Sequence, residues 1–164
     1  MMNLDPFWLI KARGYIGTRE IPGPEHSKTI QLWLSKLGAW WRDDETPWCG
    51  TFVAHCMQLA AHPIPQHWYR AKAWADYGSR LQFSRLAPGA ILVFDRKGGG
   101  HVGFYTGETA TAFRVLGGNQ SNGVNETWIG KGRCIAARWP KGVPVIGSPV
   151  RLADSGQPLS TNEA

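Results

Sequence analysis

A cysteine, a histidine and an asparagine in this sequence have types and surroundings suited to nucleophilic catalysis. Cys49 lies in DDETPWCGTFVAHC, His101 in KGGGHVGFY and Asn119 in LGGNQSN. A cysteine thiolate can attack an amide carbonyl, a histidine can take up the thiol proton and deliver it to the leaving amine, and an amide oxygen can orient the histidine. Together the three residues predict acyl transfer through a thioester.

Cys49 is at the predicted start of a helix. Thr46 and Pro47 are typical of the N-cap and the first helical position, which puts Cys49 in the first turn. Backbone N–H groups there have no intrahelical partner, and with the helix dipole they favour thiolate over thiol. The acidic run at 43–45 opposes this effect. Cys49 shares a helical face with Phe52, so we expect its side chain to face a neighbouring sheet.

His101 is the candidate general base. It opens a predicted strand after three glycines, which leave the backbone bare where a substrate could approach. Asn119 follows another predicted strand, and its amide oxygen can accept the second ring N–H of His101. Gln120 is the alternative third residue. It ranks second because strand alternation turns its side chain to the opposite face.

The remaining cysteines indicate core packing rather than chemistry. Cys56 lies deeper in the same helical stripe as Cys49, and Cys134 lies within a predicted strand. A buried cysteine taken singly is more often inert, so the case for Cys49 depends on its combination with His101 and Asn119. Three cysteines without a CxxC pair predict neither a disulfide framework nor a metal site, and the chemistry needs no cofactor.

Helical patterns precede strand patterns along the chain. Helices are predicted over 5–17, 27–37, 49–61 and 70–77. Strands are predicted in APGAILVF, HVGFYTG, AFRVLGG and RCIAARW. This order predicts an α+β fold in which N-terminal helices pack on a C-terminal antiparallel sheet. We expect a single catalytic domain over 1–146 and a loosely ordered polar tail over 147–164.

Charge and the first residues limit the function classes. A net charge of +6 over 164 residues favours an anionic partner such as nucleic acid, a membrane surface or an envelope polymer. The basic residues are scattered singly, which argues against nucleic acid. The opening MMNLDPFWLIKARGYIG has no charged n-region before an apolar run. We therefore expect synthesis in the cytoplasm without a signal peptide, and no stable membrane insertion.

Four motifs resemble the cysteine, histidine-dependent amidohydrolase/peptidase (CHAP) and NlpC-type superfamily of papain-like peptidoglycan hydrolases. They are DETPWCGTFVAHC, PGAILVF, GGGHVGFYTGE and LGGNQSNGVN, and the upstream GTREIPGPEHSKTI resembles the N-terminal motif of the short phage and prophage endolysin-like branch. The resemblance covers roughly residues 9–139. It implies a papain-like fold with Cys49 as nucleophile, His101 as general base and Asn119 as the residue that orients the histidine.

One position departs from the family pattern. Many CHAP members carry a glutamate two residues before the asparagine, where this chain has Gly117. The departure leaves either a Cys-His-Asn triad or one that uses Gln120, which is otherwise a candidate for substrate binding. Trp48 and Glu20 are the other candidates for lining the cleft, although core packing explains a tryptophan, and a surface salt bridge explains Glu20, equally simply.

The resemblance implies a peptidoglycan hydrolase that cleaves amide bonds of the wall peptide, as an endopeptidase or an N-acetylmuramoyl-L-alanine amidase. A phage endolysin that reaches the wall through a holin or a secretion machine is the first expectation, and a monomer is expected. A secreted antibacterial amidase effector is the alternative. Two other classes remain open: a non-catalytic module that binds the wall through basic and tryptophan side chains, and an intracellular papain-like deacylase or transglutaminase-type enzyme.

Overall fold

The computed structural model describes residues 4–163, which begin with three helices. These are α1 (Phe7–Gly14), α2 (Lys28–Leu37) and α3 (Cys49–Leu59). Helix α2 begins at Ser27, whose side chain accepts the Ile30 N–H, and ends at Gly38 in the left-handed region. All residues of α3 from Cys49 to Met57 are buried, so α3 is the central helix.

Six antiparallel strands form one sheet in the order β1-β6-β2-β3-β4-β5. Their bounds are β1 (Ser79–Arg80), β2 (Ile91–Arg96), β3 (Gly99–Glu108), β4 (Ala112–Gln120), β5 (Gly123–Gly130) and β6 (Cys134–Trp139). Helix α3 packs on β3 and β4, and α1 and α2 pack against α3. The predicted α+β fold, with helices preceding an antiparallel sheet, is confirmed.

Sequence patterns missed two strands and misplaced two helix boundaries. Strand β5 has a mixed burial pattern without clear alternation, and β1 has only two residues. The helix predicted over 70–77 is a single 3₁₀ turn, Ala71–Trp74. Thr46 is not the N-cap of α3; that position is Trp48, whose side chain makes no capping hydrogen bond to the helix. The Thr46 N–H is instead held by Asp43 Oδ1 at 2.7 Å, in a turn that precedes the helix.

Residues 147–163 carry no helix but dock on the sheet at two places. The Glu108 N–H donates to Val150 O, and the Leu152 N–H donates to Glu108 O. Further along, the Ser121 N–H donates to Asn162 O, and Glu163 pairs with the end of β4. Where the sequence predicts loose order, these parts of the segment have defined backbone partners.

His55 of α3 is buried. Its ring stacks on Trp33 at 5.3 Å, and its Nε2 lies 2.8 Å from the Tyr15 hydroxyl. Burial, with a smaller contribution from the Lys36 charge, lowers the pKa of His55 to about 4.

Over residues 4–163, no helix has the length and apolar character needed to cross a bilayer.

Candidate active site

The start of α3 places Cys49 against strand β3. Cys49 is 3% exposed, and the Val102 backbone N–H donates to its sulfur. That N–H belongs to the peptide group joining His101 to Val102, so the sulfur lies beside the backbone of the candidate base. The next residue, Gly50, permits a close approach of the Trp68 backbone to the start of α3, because a Cβ there would overlap the Trp68 carbonyl oxygen.

Burial dominates the electrostatics of Cys49. It raises the pKa of the thiol to about 11, while N–H groups of Val102 and Gly50 and the charge of Arg96 act in the opposite direction. Arg96 is near because its Nε donates to Gly100 O at 3.1 Å, at the end of the β2–β3 hairpin. The helix start therefore stabilises the thiolate less than burial disfavours it, and the resting group is a thiol.

His101 is fully buried in β3, and its ring is oriented by Gln120. The ring Nε2 lies 2.9 Å from Gln120 Oε1. Gln120 Nε2 faces three oxygens: Val115 O at 3.2 Å, Asn125 O at 2.7 Å and Asn125 Oδ1 at 3.1 Å. The amide nitrogen must face these acceptors, so the amide oxygen faces His101. The network thus assigns the proton on His101 to Nε2, which donates to Gln120.

The alternation that turned Gln120 away from His101 is wrong, because β4 contains a bulge. Gly117 pairs with Asn125 and Gln120 pairs with Gly123, so two residues of β4 oppose one of β5. Asn119 lies in the bulge with φ 57°, in the left-handed region. The extra residue exchanges the two faces of the strand, and the side chain that meets the His101 ring Nε2 is that of Gln120.

Gly117 accounts for the departure from the family pattern. A Cβ at Gly117 would lie 2.5 Å from Gln120 Oε1 and 3.3 Å from His101 Nε2. A side chain at 117 would therefore enter the space beside His101 that the Gln120 amide occupies. The absence of a side chain at 117 is the one signal in the sequence that could have raised Gln120 above Asn119. We name Cys49, His101 and Gln120 the candidate centre.

Trp48 and Glu20 lie together, next to the candidate centre. Trp48 is 1% exposed, and its indole N–H donates to Glu20 Oε1 at 2.8 Å. Burial raises the pKa of Glu20, while the Trp48 donor acts to lower it. A Cβ at Gly118 would lie 2.8 Å from the Trp48 ring, so β4 and the start of α3 pack closely. The hydrogen bond between Glu20 and Trp48 holds the segment around Glu20 against the start of α3.

One cluster among residues 4–163 has the composition of a metal site. His26, Asp44 and Glu45 bring ligand atoms within 4.8 Å of one another. Asp44 is fully buried, however, and its Oδ2 accepts the N–H groups of Ile21 and Ser27, both at 2.7 Å. The carboxylate is thereby engaged in holding the loop before α2, and its other oxygen lies 3.0 Å from His26 Nδ1.

A known protein family matches the segment of the chain that carries Cys49 and His101. The CHAP domain family model matches residues 41–119, which include Cys49, His101 and Asn119. No curated protein is significantly similar in sequence to the chain. The matched segment runs from the turn before α3 to the bulge of β4, and it therefore contains both elements that hold Cys49 and His101. Residues 41–119 are thus similar to the CHAP domain, a family associated with peptidoglycan hydrolysis by cysteine and histidine.

Proposed function

We propose that the chain is a cysteine amidohydrolase that cleaves amide bonds in the peptide part of peptidoglycan. The observation that carries the proposal is the placement of the Cys49 sulfur beside the His101–Val102 peptide, together with the hydrogen bond between the His101 ring Nε2 and Gln120. A nucleophile, a base and an orienting group then occur in one buried cluster.

In the proposed mechanism His101 Nδ1 takes the proton of the Cys49 thiol as the sulfur attacks the amide carbonyl. A pKa of about 11 means that Cys49 needs this base at neutral pH. Gln120 holds Nε2–H and accepts its hydrogen bond more strongly as the ring becomes a cation. The ring then protonates the leaving amine, and water hydrolyses the thioester. The Cys49 backbone N–H is the proposed oxyanion donor, a contribution of ~3 kcal/mol.

The proposal extends to biological role on the resemblance of the sequence motifs. The chain acts as a phage or prophage endolysin, made in the host cytoplasm, monomeric, and reaching the wall through a holin. The bond cleaved is either that between the lactyl group and L-alanine or one within the stem or cross-bridge. Mass spectrometry of the released fragments distinguishes an amidase, which frees a peptide amino terminus at L-alanine, from an endopeptidase.

The test is the loss of turbidity of purified sacculi stripped of outer membrane. Wild type and Cys134→Ser should clear them, whereas Cys49→Ala should reduce the rate by at least about 10³-fold. Cys134→Ser is the matched control because Cys134 is a half-buried cysteine of β6 outside the candidate centre. Clearing by Cys49→Ala at the wild-type rate would contradict the proposed nucleophile. If wild type pellets with the sacculi but leaves them uncleared, the protein is a binding module instead.

A further inference from the structure

A groove beside the start of α3 is lined by aromatic rings that the proposed mechanism does not use. We define this aromatic groove by Trp40, Trp41, Trp68 and Tyr69, and it encloses about 640 Å³. Trp40 is 90% exposed, whereas most other tryptophans of the chain are buried. A solvent-exposed indole at the edge of a groove is typical of a binding site in which the bound ligand covers the ring.

The rings of the aromatic groove are held in place by one another. Trp41 stacks on Trp68 with 5.9 Å between centroids, and Tyr69 meets Trp41 edge-on at 5.5 Å. Trp40 stands at 74° to Trp41, so two indole faces form a corner. The backbone beneath them is also tied, because Arg42 donates to Trp41 O at 2.8 Å. The corner is thus formed before any ligand arrives.

Polar side chains at the rim decide which kind of ligand fits. Asp43, Thr46 and Gln66 also line the groove. Hydrogen bonds from the Thr46 and Glu45 N–H groups help to lower the pKa of Asp43, with the Thr46 bond the largest cause, so its carboxylate is charged at neutral pH. A negative rim disfavours the carboxylates of an acidic peptide. Flat apolar faces edged by acceptors and an amide suit a pyranose ring, which presents C–H bonds on its face and hydroxyl and acetamido groups at its edge.

The aromatic groove lies beside the start of α3, the helix that carries Cys49. Thr46 and Pro47 line the groove, and Trp48 and Cys49 follow directly in the chain. On the opposite wall, the Trp68 backbone packs against Gly50, the residue after the nucleophile. A polymer lying in the groove would therefore pass the start of α3.

We propose that the aromatic groove binds sugar rings of an N-acetylated glycan strand, with Trp40 and Trp41 stacking on the pyranose faces. A strand bound there presents the peptide that it carries to Cys49. The inference rests on the proposed function for the identity of the polymer. Binding energy from these sugars, which do not react, would hold the scissile amide in position.

The test uses the full chain carrying Cys49→Ala, so that binding is measured without turnover. The probe is the β-1,4-linked trimer of N-acetylglucosamine, which has no peptide, and the readout is a ¹⁵N NMR titration. We expect saturable shifts of the Trp40 and Trp41 indole N–H signals. Adding Trp40→Ala should weaken binding about tenfold or more, and Trp40→Phe should retain most of it because a flat ring remains.

Trp128→Ala is the matched control, since Trp128 is a half-buried tryptophan of β5 that does not line the groove. It should leave the affinity unchanged. The inference is overturned if the parent protein shows no saturable shift, if Trp40→Ala binds as tightly as the parent, or if a free stem peptide rather than the trimer shifts the groove signals. Failure of the proposed function is seen separately, as absence of Cys49-dependent clearing of sacculi.

Discussion

The chain runs from the aromatic groove at Thr46 and Pro47 to the candidate centre at Cys49, yet the two regions are constructed in opposite ways. Cys49, His101 and Gln120 are each 3% exposed or less, and the amide of Gln120 is surrounded by hydrogen-bond partners. The groove places Trp40, at 90% exposure, at its open edge and orders its rings by stacking. Proton transfer requires fixed distances and angles, whereas recognition of a sugar face requires accessible flat area.

Because the two regions are built differently, substitutions in them should have different consequences. In the candidate centre, removal of one polar partner leaves another buried group unsatisfied, which costs about 1–3 kcal/mol in addition to any loss of rate. In the groove, removal of an exposed ring leaves no buried group exposed and should change ligand binding without changing the fold. Substitutions in the two regions should therefore separate rate and stability effects from binding effects.

After loss of the nucleophile itself, the largest expected effect comes from Gln120→Ala, which removes the acceptor of His101 Nε2–H. We expect kcat to fall by about 10²- to 10⁴-fold, because the imidazole loses its fixed orientation and proton position. Gln120→Glu should restore part of the rate and shift the pH profile, since a carboxylate also accepts Nε2–H but its second oxygen faces the three oxygens that the Gln120 amide nitrogen contacts. The measurement is the initial rate of sacculus clearing against pH.

Asn119→Gly is the matched control for the Gln120 variants. Glycine tolerates the φ of 57° at this position, so only the Asn119 side chain is removed. A small effect is expected. If Asn119→Gly lowers kcat as strongly as Gln120→Ala, the orienting role belongs to Asn119 and the assignment made from the ring contact is wrong.

Chemical reactivity of Cys49 gives the next largest effect. A thiol with a pKa of about 11, against an ordinary value of 9.0, has about 100-fold less thiolate at pH 8 than an exposed cysteine. In a Cys56→Ser, Cys134→Ser background, alkylation by iodoacetamide should be at least that much slower in the native than in the denatured protein. Its rate should rise about tenfold for each pH unit up to the pKa. Fast alkylation near pH 6 would instead reveal a preformed thiolate–imidazolium pair.

Burial of His55 predicts a smaller effect, on the stability of the protein in acid. The pKa of His55 is lowered from 6.5 to about 4, so the unfolded chain binds a proton in this range that the native protein does not. The contribution of neutral, buried His55 to the free energy of unfolding is present above pH 6.5 and is lost as the pH falls toward 4. The melting temperature should decrease over this range, by about 2–4 °C for each kcal/mol lost.

His55→Gln isolates this effect, because glutamine can still meet the Tyr15 hydroxyl but does not titrate between pH 4 and 6.5. Thermal unfolding followed by circular dichroism should show a flatter dependence of melting temperature on pH in the variant. Identical curves for the two proteins would show that His55 is protonated at little cost in the folded state.

Local patterns were sufficient to predict several features of the molecule. The helices α2 and α3 follow from apolar spacing over a few turns, and the strands β2, β3, β4 and β6 follow from apolar runs between glycines. Cys49 and His101 were singled out by residue type and immediate neighbours. These properties depend on interactions over a few residues, which a sequence displays directly.

Other features depended on contacts between distant segments. The bulge of β4, which brings Gln120 rather than Asn119 to the ring Nε2 of His101, arises from register with β5, a strand that its own pattern did not reveal. The raised pKa of Cys49 arises from burial against β3. The aromatic groove joins residues 40–41 to residues 68–69. Strand register, desolvation and ring stacking are set by which segments meet in space, so only the folded chain decides them.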